Sequence, residues 1–248
     1  MILLCLSNIV VDYCVTPAQL ITLVGVLIAV FTLFEIRKQR LKSYEPKLFF
    51  TNMSFWLQRN SNGTPCILKS ESSKSNAFSS MPFFPIDVHN IGLGAANTIS
   101  IKWVYNRSKI IAKFEELGNQ TKLLLKKNEG YFHYIFGDNP DQGYGFTIPP
   151  TEDSKKEISF LTANQSTKTK MSEALYNYLT FIPYLELINQ NNPRRIELNI
   201  DEFKVLCTYF DVGGTKHNQT INLSIQVSAF SEEFHEENYG IGTITFRK

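Results

Sequence analysis

An uncharged apolar run near the amino end constrains this 248-residue chain more than any other feature. Residues 20–34 (LITLVGVLIAVFTLF) contain no charged side chain, and extending the segment to 17–36 gives 20 residues. A helix of that length rises about 30 Å, which matches the hydrocarbon core of a bilayer. Thr16 and Pro17 are suited to begin it, as a hydroxyl N-cap followed by a proline in the first turn. The sequence therefore predicts one transmembrane helix, which we place with its basic exit at residues 16–42.

Two alternative interpretations of the apolar run are weaker. A cleaved signal peptide carries basic residues before its apolar core, whereas residues 1–19 contain no Lys or Arg. A core helix of a soluble protein is rarely apolar on every face over such a length. Residues 1–15 are also mostly apolar, but their polar side chains make them unsuited to span a bilayer alone. They either lie in the outer interface or prolong the helix with a bend near Pro17.

Basic residues follow the apolar run directly and predict its orientation. These residues are Arg37, Lys38, Arg40 and Lys42. Because cytoplasmic flanks are enriched in Lys and Arg, the amino end is expected outside and the chain from about residue 37 onward in the cytosol. We therefore expect a single-pass protein of the inner (plasma) membrane with a cytosolic domain at residues 46–248.

Small residues recur on one face of the predicted helix with a heptad rhythm. Spacings of four, three, four and three residues separate Ala18, Thr22, Gly25, Ala29 and Thr32. In a bilayer such residues let helix backbones approach and allow hydroxyls to bond across the contact, and this period favours left-handed packing. The alternative is chance alignment, because small residues are common in membrane helices. We expect homo-oligomers that pack, or enclose a pore, through this face.

The chain after the helix has the pattern of an antiparallel β fold. Residues 48–57 alternate, with Phe49, Thr51, Met53, Phe55 and Leu57 on one side, and residues 98–105 alternate cleanly as well. Residues 203–210 and 220–230 flank a glycine-containing turn typical of a hairpin, and residues 241–246 form a closing strand. We predict a mainly β domain, an antiparallel β-sandwich or distorted barrel.

Short helices and loops are expected as insertions in this β domain. One helix is predicted at residues 108–117, ended by Gly118, and another at residues 172–179, capped by Ser172 and disrupted by Pro183. Residues 59–80 and 137–145 are rich in turn-forming residues and are expected to be loops.

Composition and motifs argue against an enzyme and against nucleic acid as the main partner. The 25 Lys and Arg residues nearly balance the 23 Asp and Glu residues, which leaves a net charge of +2. The four cysteines lack metal-ligand spacing, and no phosphate-loop, nucleophile-elbow or zinc-protease motif is present. His235 lies within an acidic run that is more typical of a solvated loop than of a cation site. We expect no catalytic residue, no cofactor and no metal site.

One ligand surface is suggested by basic residues that precede aromatic ones. Its residues are Lys122, Lys126, Lys127, Tyr131 and Tyr134. Lysines beside aromatic rings on strands are suited to hold a nucleotide or a short single strand through phosphate pairing and stacking. The favoured alternative is an ordinary amphipathic strand whose aromatic rings belong to the core.

Three motifs accompany this layout: the helix exit at residues 35–40 (EIRKQR), a turn at residues 90–94 (NIGLG) and a hairpin at residues 209–214 (YFDVGG). With the single helix they resemble small bacterial inner-membrane proteins, some of which accompany anti-phage operons. The layout is similar to the membrane effectors of Hailong-type systems, which a nucleotide-synthesising partner controls. The resemblance covers the whole chain as architecture and implies a ligand-controlled effector in antiviral defence. No functional residue carries over from it.

Two functions stay open at this point. The first is a homo-oligomeric effector whose helices form a pore under the control of a nucleotide, oligonucleotide or protein partner bound to the β domain. One helix per chain cannot enclose a pathway, so this function requires about four or more subunits, with Thr22 and Thr32 as the natural polar lining. The second is a non-conducting binding or scaffold module that is held at the membrane.

Overall fold

Helix α1, Pro17–Ser43, belongs to the first of two units, Met1–Glu45 and Pro46–Lys248, into which the chain divides. The computed structural model describes residues 17–59, 64–68, 84–136, 139–150, 155–189, 195–230 and 238–247. The predicted amino-terminal apolar helix is confirmed, and its bounds lie within a residue of those expected. The expectations for residues 1–15, for the cap at Thr16 and for His235 lie outside the described residues.

The second unit is mainly β, as predicted. Among its described residues the strands are β1 Leu48–Phe50, β2 Met53–Arg59, β3 Pro65–Leu68, β4 Pro85–Asn90, β5 Ala96–Tyr105, β6 Leu124–Asn128, β7 Tyr131–Phe136, β8 Asn139–Thr147, β9 Lys155–Leu161, β10 Ser166–Lys170, β11 Arg195–Ile200, β12 Phe203–Phe210, β13 Lys216–Phe230 and β14 Asn238–Arg247. The helices are α2 Arg107–Thr121 and α3 Glu173–Asn189.

The described strands of this unit form three antiparallel sheets. The large sheet has the order β3-β2-β14-β13-β12-β5-β9, with β11 also pairing with β13. The two smaller sheets have the orders β1-β4-β10 and β6-β7-β8. The large sheet is curled, so of the two predicted architectures the distorted barrel describes it better.

Helix α3 forms the centre of the apolar core. Thirteen of its 17 residues are buried, because apolar side chains cover every face of the helix. It contacts β3 at one edge of the large sheet, β13 in its middle and β8 of a smaller sheet, which places the helix inside the curl. Ser172 caps it as predicted, since its Oγ accepts from Leu175 N at 3.1 Å. The prediction that Pro183 disrupts the helix is wrong: burial on all sides holds the helix together through the proline.

The single strand predicted at residues 48–57 is two strands. Strand β1 pairs with β4 and strand β2 pairs with β14 and β3, so the chain leaves one sheet for another at Thr51 and Asn52. The alternation changes phase at this break. Phe49 is therefore exposed between buried Leu48 and Phe50, whereas Phe55 and the other predicted positions of β2 are buried.

Helix α2 continues past Gly118, which was expected to end it. Asn106 caps its first turn by accepting from Lys109 N at 3.0 Å, and Lys122 ends it in the left-handed conformation, with φ 57°. Gly118 is buried against β6, where an added Cβ would lie 3.0 Å from Leu124 O. The glycine therefore serves helix–strand packing and not termination.

Of two further predictions about connecting segments, one is confirmed and the other is wrong. The hairpin of β12 and β13 is confirmed, with β13 beginning at Lys216, four residues earlier than predicted. The loop predicted at residues 137–145 is wrong from residue 139 onward, because those residues belong to β8, which pairs with β7. Residues 137 and 138 lie outside the described residues. Gly143 permits this pairing, since an added Cβ would clash with Tyr134 O.

Candidate functional site

Helix α1 has the length and composition of a membrane span. The apolar stretch Pro17–Arg40 contains 24 residues, which rise about 36 Å and exceed the hydrocarbon core of a bilayer. None of its side chains is buried within the chain. The apolar side chains of α3 are explained by their burial in the core, whereas those of α1 are not buried and need another explanation.

The five small residues lie on one face of α1. At the turn angle of an α-helix they fall within about 80° of arc. A side chain added at Gly25 would meet no atom within 4 Å, so the face is open at its centre. The hydroxyls of Thr22 and Thr32 donate to Ala18 O at 2.9 Å and to Ile28 O at 2.8 Å. Each hydroxyl donor is thus satisfied within its own helix, which leaves oxygen lone pairs as the polar groups of this face.

The four basic residues predicted to orient the helix occupy its last two turns. Arg37, Lys38, Arg40 and Lys42 are all exposed. Lys38 Nζ lies 4.0 Å from Glu35 Oε1, one turn earlier. Basic side chains at this end also complement the negative end of the helix dipole. The inside–outside orientation that they favour stays a prediction.

The five residues of the predicted ligand surface do not all face one side of the domain. Lys122 and Lys127 are exposed, and Tyr131 is half-buried at the start of β7. Lys126 Nζ donates to Glu115 Oε1 at 2.5 Å. Tyr134 is buried, with ring centroids 5.6 Å from Phe181 and 5.8 Å from Tyr184. Its ring belongs to the core, whereas the other four side chains are accessible, and ligand binding there stays a prediction.

A charged groove beside α2 was not predicted from the sequence. It has a volume of about 340 Å³ and lies between α2, Tyr178 of α3 and Glu202, which precedes β12. Lys109 Nζ lies 2.7 Å from Glu202 Oε1, and Lys113 Nζ lies 2.6 Å from Glu186 Oε1. The sequence shows that Lys109 and Lys113 are four residues apart and so lie on one face of the helix. It does not show that their acidic partners come from α3 and from the residue before β12.

The groove combines ionised groups with one protonated phenol. Burial disfavours the charged form of Glu202, but hydrogen bonding and the charge of Lys109 outweigh it and lower the pKa of this carboxyl. Burial, together with Glu202 and Glu186, raises the pKa of Tyr178. Glu202 Oε2 is buried and accepts no hydrogen bond from the described residues.

Metal-ligating and nucleophilic groups are not assembled in the part of the chain that the structure describes. No three His, Cys, Asp or Glu side chains there are placed to hold a metal ion. Burial raises the pKa of Cys66 to about 11 and that of Cys207 to about 12, so both thiols stay protonated near neutral pH. No protein-family model, no curated protein and no solved structure matches the chain.

Proposed function

We propose that this protein is a membrane-anchored, homo-oligomeric effector. In this proposal α1 crosses the inner membrane, and the β domain lies in the cytosol and binds a nucleotide, an oligonucleotide or a protein partner. Binding controls how the helices assemble, and the assembled helices form a pore. The resemblance in layout to Hailong-type effectors supports a place in bacterial antiviral defence.

One observation carries the proposal: α1 is exposed throughout its apolar stretch, Pro17–Arg40, and its small residues form one open face. An exposed apolar helix is stable in lipid, where it has no unsatisfied backbone group. Side-chain burial does not drive helices together in lipid, so contacts come from faces where backbones can approach closely. The face centred on Gly25 fits this requirement.

Gly25→Leu is expected to weaken self-association, because a leucine at the centre of the small-residue face holds the backbones apart. Loss of contacts worth about 1–2 kcal/mol would lower the association constant about tenfold. Cross-linking of the full-length protein in native membranes measures the change as a shift from oligomer to monomer. Leu27→Phe is the matched control, since it adds bulk on the opposite face and should leave the distribution unchanged. An unchanged distribution in Gly25→Leu would remove this face from the proposal.

The bonding of Thr22 and Thr32 favours the second function, a non-conducting anchor for a binding or scaffold domain. Their hydroxyl protons are directed to carbonyls of the same helix, so a pore lined by this face would offer few donors. A membrane-potential dye separates the two functions in cells that express the wild type, Gly25→Leu or a chain lacking residues 1–44. Depolarisation by the wild type alone supports the pore, and an unchanged potential under every activating condition supports the anchor.

A further inference from the structure

The first residues of the β domain are bonded to two loops at one end of the large sheet. Tyr209 Oη donates to Pro46 O at 3.0 Å, next to the hairpin turn at residues 211–215. Ile91 N donates to Lys47 O at 2.9 Å, at the start of the loop at residues 91–95. Phe210 pairs with Asn97, so both loops leave the sheet at the same end.

The two loops present three large apolar side chains to solvent. Ile91 is 59% exposed and Leu93 is 62% exposed in the first loop, and Val212 is 74% exposed in the hairpin turn. Loop tips are ordinarily polar, and a scattered apolar residue on a strand needs no explanation. Three in two loops at the same end of the sheet leave apolar surface in water, which is unfavourable.

Both loops are held in fixed conformations. Asn90 is buried, and its side chain accepts from Gly92 N at 3.1 Å and donates to Gly94 O at 2.7 Å. In the hairpin, Asp211 Oδ1 accepts from Thr215 N at 2.8 Å, and Gly214 supplies a positive φ of 80°. The apolar tips are therefore presented by rigid turns and do not fold back onto the core.

Chain connectivity brings this end close to any bilayer that α1 crosses. Lys47 is four residues after Ser43, the last residue of α1. Even when fully extended, that segment separates the two residues by at most about 14 Å. Lys47 and Lys216 are exposed at the same end of the sheet. Apolar tips flanked by lysines have the chemistry of a surface that enters the headgroup layer of an anionic bilayer.

We propose that this end of the β domain is a second membrane contact. Ile91, Leu93 and Val212 enter the headgroup layer, and Lys47 and Lys216 meet anionic lipid headgroups. The inference rests on the proposed membrane anchoring by α1 and adds a lipid-binding surface to the soluble domain.

The test uses the full-length protein in nanodiscs that contain anionic and spin-labelled lipids. Cys5, Cys14 and Cys66 are replaced by Ser, while Cys207 stays because it is buried. An environment-sensitive fluorophore is attached at Leu93→Cys or Val212→Cys. Ile241→Cys is the matched control: it is an exposed aliphatic position paired with Ser228, about 40 Å along β13 from Lys216. Ile28→Cys reports insertion of α1.

Labels at positions 93 and 212 are expected to show blue-shifted emission and several-fold stronger quenching by spin-labelled lipid than the label at 241. Signals at 93 and 212 equal to that at 241, with the label at 28 in lipid, would overturn the second contact and leave the anchor intact. A water-like signal at 28 as well would overturn both proposals. Omitting the anionic lipid should weaken quenching at 93 and 212 but not at 28, and equal quenching would overturn the role of the lysines.

Discussion

Asn90→Ala is expected to lower the free energy of unfolding of the β domain by about 3–5 kcal/mol. The side chain is buried and fully used: its oxygen accepts from Lys47 N and Gly92 N, and its nitrogen donates to Gly94 O and Leu161 O. Truncation removes the partner of all four backbone groups, of which Gly92 N and Leu161 O are in buried hydrogen bonds and the other two in partly buried ones. Denaturant unfolding of the full-length protein in detergent, followed by fluorescence of buried Trp103, measures the loss.

Two further variants test whether the loss comes from the hydrogen bonds of Asn90. Asn90→Asp keeps the shape but replaces the two amide donors by an acceptor and buries a charge, so it should destabilise at least as much as Ala. Asn119→Ala removes an asparagine from an exposed position of α2 and should change stability by about 0.5 kcal/mol or less. An Asn90→Ala protein as stable as Asn119→Ala would contradict the proposed role of the Asn90 hydrogen bonds.

Phe181→Ala is expected to cost about 3–5 kcal/mol of unfolding free energy. Phe181 is 1% exposed at the centre of α3, and its ring stacks on Phe146 with centroids 4.3 Å apart and planes inclined by 12°. Tyr134 packs against the same ring at 5.6 Å. Removing it leaves a cavity where α3 meets the small sheet of β6, β7 and β8, and the same fluorescence titration measures the effect.

Phe160→Ala is the matched control for this prediction. Phe160 is the same residue type on β9, but it is 50% exposed, so its truncation should cost less than about 1 kcal/mol. Equal losses for the two variants would contradict the burial of Phe181 between α3 and the small sheet of β6, β7 and β8.

Elements with strong local patterns were predictable from the sequence. Strand β12 alternates without interruption, β5 does so from Ile99 onward, and residues 20–34 of α1 are uncharged and mainly apolar, so hydropathy alone fixes the type of these elements and closely their bounds. The break between β1 and β2 was not predictable, because it depends on which sheet each half joins. The continuation of α3 through Pro183 is not predictable from local sequence, because the burial that keeps the segment helical comes from distant strands.

The candidate sites also differ in whether local sequence or long-range contacts define them. The small-residue face of α1 follows from local spacing, since helical geometry alone brings its five members together. In β7, alternation shows that Tyr134 and Tyr131 differ in environment but not which of them faces the core. The groove beside α2 joins Lys109 to Glu202, which is 93 residues away, and no local pattern indicates that contact.

Extraction of membranes with alkaline carbonate tests the central claim, that α1 spans a bilayer, most directly. The wild-type protein should stay with the pelleted membranes and be released only by detergent. Leu27→Arg together with Val24→Arg places two charges at the middle of α1 at a cost of about 3 kcal/mol each, and should move most of the protein to the supernatant. Release of the wild-type protein by carbonate alone would contradict the account.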